Sequence, residues 1–202
     1  MGRLRNLYLF VGPSGTGKST IVQRLCDIAD LQQVVSYTTH PRRHTDEGGH
    51  LFLSAEKYPT WKEIEHQYHH IVARTVYNGY FYFCTQEQID NADLYIVDPP
   101  GVETLRKNYR GRRGVRIIYV KSPNKELVSR MVARGNTPTE AEERILLDQE
   151  CFAGQEKSAD YVAYNVDLNV CVWDILEYIR REEGMCRYVK QQMALRGKSC
   201  EL

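Results

Sequence analysis

An α/β fold, a parallel sheet flanked by helices with a small, mostly antiparallel lobe inserted into it, follows from three observations. A continuous apolar run at residues 7–11 leads into a glycine-rich loop and then into a helix-period pattern. Three later apolar runs, at 94–97, 115–120 and 161–164, alternate with helical patterns. Between 33 and 86, short β-rich pieces crowd around an Asn78-Gly79 dipeptide.

Taken in order, the run LYLFV is bounded by Asn6 and Gly12 and lacks polar alternation, as expected of a strand buried on both faces of a parallel sheet. Ile21, Leu25 and Ile28 recur at helical spacing, so a helix starts near Lys18. The pieces 34–39, 50–53, 71–77 and 80–84 read as strands of the inserted lobe, the last two joined by the Asn-Gly hairpin signal. The histidine-rich stretch 66–70 reads as a solvated helix face rather than a metal site. Helical patterns at 102–109, 125–133 and 139–152 separate the remaining central strands, which implies right-handed crossovers and parallel pairing. From about residue 167 the chain is helical through 181 and then polar and basic to its end.

At 202 residues, 42% hydrophobic and 26% charged, the chain is large enough for one α/β domain with a full core, and neither disorder nor a membrane class is suggested. Net charge is +1, so no whole-chain field favours nucleic acid or anionic lipid, and neither partner is expected. The N-terminal apolar run is too short for a signal peptide, and no stretch approaches the roughly 20 apolar residues of a membrane span. Six scattered cysteines, Cys26, Cys84, Cys151, Cys171, Cys186 and Cys200, lack zinc-finger spacing and read as reduced thiols. A cytoplasmic location is the expectation.

Gly12-Pro13-Ser14-Gly15-Thr16-Gly17-Lys18-Ser19-Thr20 satisfies G-x-x-x-x-G-K-[S/T] between a predicted strand and a predicted helix. The glycines let backbone N–H groups turn inward on a phosphate chain, and the following helix directs its positive end at the same point. Lys18 is placed to reach β and γ phosphates, and the Ser19 hydroxyl to ligate Mg²⁺. The fold class is therefore a P-loop NTPase, with ATP and Mg²⁺ as the expected cofactors. Asp98 closes a strand, where ligands of parallel sheets lie; it is expected to hold Mg²⁺ through water or to touch the acceptor, or else to be a turn aspartate before Pro99-Pro100-Gly101. Arg130, Arg134 and Arg144 flank the segment 135–139 and suggest a helical lid that carries cations to the transferred group, with Thr139 as the helix cap; a solvated helical hairpin is the plain alternative.

From 7 to about 179 the sequence resembles the guanylate kinase family. GPSGTGKST is the family's form of the P-loop. Ser36-Tyr37-Thr38-Thr39 with Pro41 and Arg43 resembles one wall of its acceptor site, and Gly79-Tyr80-Phe81-Tyr82 the other. Val132-Ala133-Arg134-Gly135 resembles the lid hinge, and Asp160-Tyr161-Val162 through Asn165-Val166-Asp167 the segment beside adenine. The resemblance implies one domain over 1–202, with core 1–32, 87–130 and 148–182, acceptor-binding lobe 33–86, lid 131–147 and a C-terminal helix or tail 183–202. It implies Ser36 and Cys84 beside the acceptor base, Arg43 and Tyr82, with His40 in a second arginine's place, at the acceptor phosphate, Asn165 near the ATP base, and Arg130, Arg134 and Arg144 around the moving phosphoryl group.

The departures fall in the acceptor site. Besides His40, His50 stands near a family tyrosine, Phe83 and Cys84 replace glycine and a hydroxyl residue, and Ile96 replaces an aspartate. The guanine-reading glutamate should fall near Ala73 or Arg74, yet no acid lies between Glu65 and Glu87. The activity implied is GMP plus ATP giving GDP plus ADP. The alternatives are transfer to another nucleotide or a sugar phosphate, and a guanylate-kinase-like binding module without catalysis.

Overall fold

The computed structural model describes residues 4–42 and 48–185. The first sheet is wholly parallel, in the order β6 (Leu94–Ile96), β1 (Asn6–Val11), β7 (Gly114–Lys121), β8 (Tyr161–Tyr164). Alternation along β1 explains its unbroken apolar run. Tyr8 and Phe10 face one core, with Ile21, Val22 and Leu25 of α1 (Lys18–Ala29) and Val172, Ile175 and Ile179 of α7 (Leu168–Glu182). Leu7, Leu9 and Val11 face the other, with Val102 and Leu105 of α4 (Pro99–Asn108). A strand with helices on both faces has no polar side, and each large apolar side chain fully buried in it contributes about 2 kcal/mol.

The second sheet has the order β3 (His50–Phe52), β2 (Ser36–Thr38), β5 (Tyr80–Thr85), β4 (Ile71–Tyr77). β2–β5 and β4–β5 are antiparallel, and Asn78 and Gly79 turn the hairpin with positive φ, as their sequence predicts. β2 and β3 pair in parallel, which short strands separated by a long connection give no local sign of. A small core of Tyr58, Ile64 and Phe83 holds α2 (Trp61–Gln67) to this sheet. β4 lies against α4, where Thr104 Oγ1 accepts from the Arg74 N–H at 2.9 Å. α3 (Gln86–Asp90) leads back to the parallel sheet.

α5 (Asn124–Val132) and α6 (Pro138–Cys151) pack on each other through Leu127, Met131 and Ala141. The cap of α6 is Thr137, not Thr139. Pro138 fixes the first helical position, and Thr137 and Glu140 close a capping box. α4 likewise begins at Pro99 rather than at 102, with Asp98 as its cap. Cys26, Cys84, Cys151 and Cys171 are free thiols, in line with the sequence reading. Among the described residues no helix is long and apolar enough to cross a membrane. The expectations for Arg43, Cys186, Cys200 and nearly all of the tail lie outside the described residues.

Candidate functional site

The glycine loop runs from the end of β1 to the start of α1 beneath two neighbouring segments. Gly12 has φ +149° and approaches β7 so closely that a Cβ there would lie 2.3 Å from the Val120 carbonyl oxygen. Gly17, at φ +89°, would put a Cβ 2.4 Å from Asn165 Nδ2. Both positions exclude a side chain on two counts, conformation and space.

Three side chains brace this loop, two just past the carboxyl ends of β7 and β8 and one on α5. Asn165, buried, donates from Nδ2 to the Thr16 carbonyl at 2.8 Å. Ser122 Oγ donates to the Asn165 carbonyl at 2.9 Å and accepts from Arg130 Nη1 at 3.1 Å. Arg130 also donates to the carbonyls of Gly15 at 3.5 Å and Asn165 at 3.3 Å. In this conformation Asn165 therefore buttresses the loop backbone, and Arg130 braces the same assembly, beyond the base-side and phosphoryl-side roles the resemblance implied. Ser122 escaped the sequence reading. Its position just past a central strand, the place where parallel sheets hold ligands, was the available signal.

α6 lies on the loop. Arg144 Nε donates to Ser14 Oγ at 2.9 Å, and its guanidinium sits 4.3 Å above the Tyr77 ring of the lobe hairpin. Asp148, one turn further along α6, accepts from the Ser14 N–H at 2.5 Å and lies 3.9 Å from Arg144 Nε. Lys18 folds back, donating to the carbonyls of Gly12 at 2.6 Å and Pro13 at 2.9 Å. Desolvation lowers its ammonium from 10.5 to about 8; Asp148 opposes the fall, and Arg134 and Arg144 add to it. Arg134 is exposed, close enough to act on Lys18 only through its field. Asp148 was not singled out by sequence, although an acid four residues after Arg144 on one helix is the spacing of a side-chain pair.

A cavity of about 230 Å³ opens beside the loop, lined by Ser19, Gln23, Gln33, Ser36, His50 and Ile96 among others. It joins the exposed Ser19 to the lobe. Ser36 Oγ and His50 Nδ1 share a hydrogen bond of 2.9 Å, and the His50 ring meets the Tyr82 ring edge-on at 5.6 Å between centroids. His40 contacts the Pro41 carbonyl through Nδ1 at 2.5 Å and packs against Tyr80. Cys84 is fully buried in the core beside Tyr95, apart from the cavity lining. Burial pushes its thiol up to about 12, against smaller lowering by hydrogen bonds with Tyr95 and the Ala73 backbone, so it is no thiolate at neutral pH.

Asp98 is taken up as a cap: its Oδ1 accepts from the Gly101 N–H at 2.9 Å. Burial raises its carboxyl, and hydrogen bonds from Thr75 and Gly101 partly offset the rise. The cap agrees with the turn-aspartate reading, and Asp98 does not line the cavity beside Ser19. Among the described residues no group of three or more His, Cys, Asp or Glu is placed to hold a metal ion.

A glycine loop between a central strand and a helix, with one lysine under it and Arg130 and Arg144 of two neighbouring helices on it, is the arrangement of a P-loop phosphotransferase. The guanylate kinase family model matches residues 4–182, and the chain belongs to that family. Guanylate kinases of Mannheimia succiniciproducens (27% identical over 93% of each chain) and Bartonella quintana (28% identical, 81% of this chain and 75% of that one) are similar to it. In fold it is similar to guanylate kinase from Anaplasma phagocytophilum, with TM-score 0.61 and 17% identity over 91% of this chain and 88% of that one. It also resembles a gluconokinase from Sinorhizobium meliloti, with TM-score 0.50 and 16% identity over 90% and 95%. Identities this low between structures speak to the fold alone.

Proposed function

We propose that the chain transfers the γ-phosphoryl group of ATP to the phosphate of a nucleoside monophosphate, GMP in the first instance. One observation carries the reading: the cavity between the loop and the lobe begins at Ser19 and ends at Ser36 and His50, so an acceptor seated there faces the end of the phosphate chain.

The loop's inward N–H groups and the start of α1 would hold the nucleotide's phosphates. Lys18, freed from its two carbonyls, would neutralise the β and γ oxygens, and Arg144 and Arg134 would stabilise charge spread over the transferred group. Lid closure over the loop excludes water and so favours the acceptor over hydrolysis. Ser19 is exposed at the cavity edge and fits one hydroxyl ligand of Mg²⁺, the other ligands being phosphate oxygens and water. When bound, the ion supplies charge neutralisation between the phosphates.

A second reading keeps the donor and changes the acceptor to a smaller phosphate ester. Two observations favour it. The cavity of about 230 Å³ lies below the usual range of small-molecule sites, about 300–1,000 Å³. Ala73, where the resemblance calls for a guanine-reading carboxylate, is buried and paired with Cys84.

ADP release from ATP with Mg²⁺ separates these readings when GMP and dGMP are assayed beside the other monophosphates and ribose phosphates. Turnover on GMP supports the first; turnover only on a smaller ester supports the second. Lys18→Ala is expected to abolish either activity with the fold intact, and an undiminished rate in that variant would refute both.

A further inference from the structure

On the side of the loop that faces α6, the contacts centre on one carboxylate. Asp148 Oδ2 accepts from the Ser14 N–H at 2.5 Å, one of the inward N–H groups of the Gly12–Thr20 loop. The side chain is 7% exposed, a rare degree of burial for an aspartate. Two cations are at hand, Arg144 at 3.9 Å and Lys18, whose ammonium feels the Asp148 charge. A buried oxyanion on a backbone N–H, with an arginine and a lysine beside it, is the environment a phosphate oxygen requires.

The neighbouring contacts fit the same picture. Lys18 lies on the carbonyls of Gly12 and Pro13. Arg144 is clasped between Ser14 Oγ on the loop and the Tyr77 ring on the lobe. Asp148 belongs to α6, so the carboxylate enters or leaves the loop with the lid.

We propose that Asp148 is a built-in competitor for the P-loop, a carboxylate that takes the place of a nucleotide phosphate oxygen at the Ser14 N–H and must leave when nucleotide binds. The proposal rests on the reading that this loop binds ATP phosphates. It makes Asp148 a determinant of nucleotide affinity rather than a catalytic residue. In the resting protein the charge also steadies these cations; in the nucleotide complex the phosphates take over that role, and α6 is released to present Arg144.

The test is calorimetric titration of the full chain with ATP·Mg²⁺ in the absence of acceptor, on the wild type, Asp148→Asn and Lys18→Ala. Asparagine keeps the shape and removes the charge, and binding is expected to tighten about tenfold or more, because a charge-assisted hydrogen bond no longer has to be broken. Unchanged or weaker binding by Asp148→Asn, alongside loss of binding by Lys18→Ala, would overturn the proposal and make Asp148 a support for Arg144. If Lys18→Ala binds like the wild type, the P-loop reading itself fails. The proposal then fails with it. If Asp148→Asn is poorly folded, the same titration on Asp148→Ser decides: tighter binding is expected, and unchanged or weaker binding overturns the proposal.

Discussion

Replacing Lys18 by methionine should abolish transfer and yet make the nucleotide-free protein more stable. The fall of the ammonium from 10.5 to about 8 corresponds to a penalty of about 3 kcal/mol on the charged form in the folded chain. Methionine removes the charge at similar length but takes the Nζ hydrogen bonds from the Gly12 and Pro13 carbonyls, at about 1 kcal/mol each, although Thr16 still donates to Pro13. The net gain is about 1 kcal/mol, or about 2–4 °C in melting temperature for a chain of this size. The pH dependence has a fixed sign. Because the folded value is the lower one, the penalty is complete below about pH 8. It is relieved between 8 and 10.5, where the unfolded lysine still holds a proton that the folded one has lost. Scanning calorimetry at pH 7 and pH 10 without nucleotide should therefore find the variant's advantage at the lower pH and its disappearance at the higher. A wild type that melts above Lys18→Met at pH 7 would refute the claim that a desolvated charge is stored under the loop.

Three further expectations follow from other contacts of the structure. Gly17→Ala, forced to φ +89° with its Cβ on Asn165, should weaken ATP·Mg²⁺ binding at least about tenfold by calorimetry, through strain of about 1–3 kcal/mol. Glu183→Gln should lower stability at pH 7 by about 2 kcal/mol in urea titrations, since Glu183 accepts from the Arg5 and Asn6 N–H groups, Asn6 Nδ2 and the Tyr8 hydroxyl. Burial alone would raise that carboxyl, but the hydrogen bonds outweigh it and leave it below 4.5, so the difference between the two proteins should be full above pH 4.5 and fade as pH falls through the lower folded value. Ala73→Glu should lower the melting temperature without adding GMP turnover, because it buries an unpaired carboxylate beside Cys84; an unchanged melting temperature with a gain on GMP would mean that the acceptor site reaches Ala73.

What could be read from sequence was whatever a local pattern enforces. β1 is legible because both of its faces are covered, and the glycine loop because its φ values and close approaches admit only glycine. The hairpin at Asn78-Gly79 is legible for the same reason. The cap of α6 was misplaced by two residues because Thr137 and Thr139 both qualify until Pro138 is recognised as the first helical position. Asp98 offered a metal, an acceptor or a turn role, and no local pattern in the sequence announces its hydrogen bond to the Gly101 N–H. Pocket membership of Ser36 and burial of Cys84 depend on how the lobe packs against β6, which no periodicity within the lobe encodes.

The site itself has two layers that differ in the same way. The inner layer joins the loop to the parallel sheet, with Gly12 against Val120 and with Ser122 and Asn165, which directly follow β7 and β8, holding the Thr16 segment, so this part is tied to the sheet. The outer layer joins the loop to α6, through Ser14 to Arg144 and Asp148, and each of its contacts must break or re-form in a catalytic cycle. A fixed inner layer gives the phosphate chain its geometry, whereas the outer layer sets how much free energy the nucleotide must supply to open the resting lid. Mutations in the inner layer should therefore lower affinity and rate together, and mutations of Asp148 should move affinity in the opposite direction. That opposition of sign distinguishes a carboxylate competing for the loop from one that merely supports it.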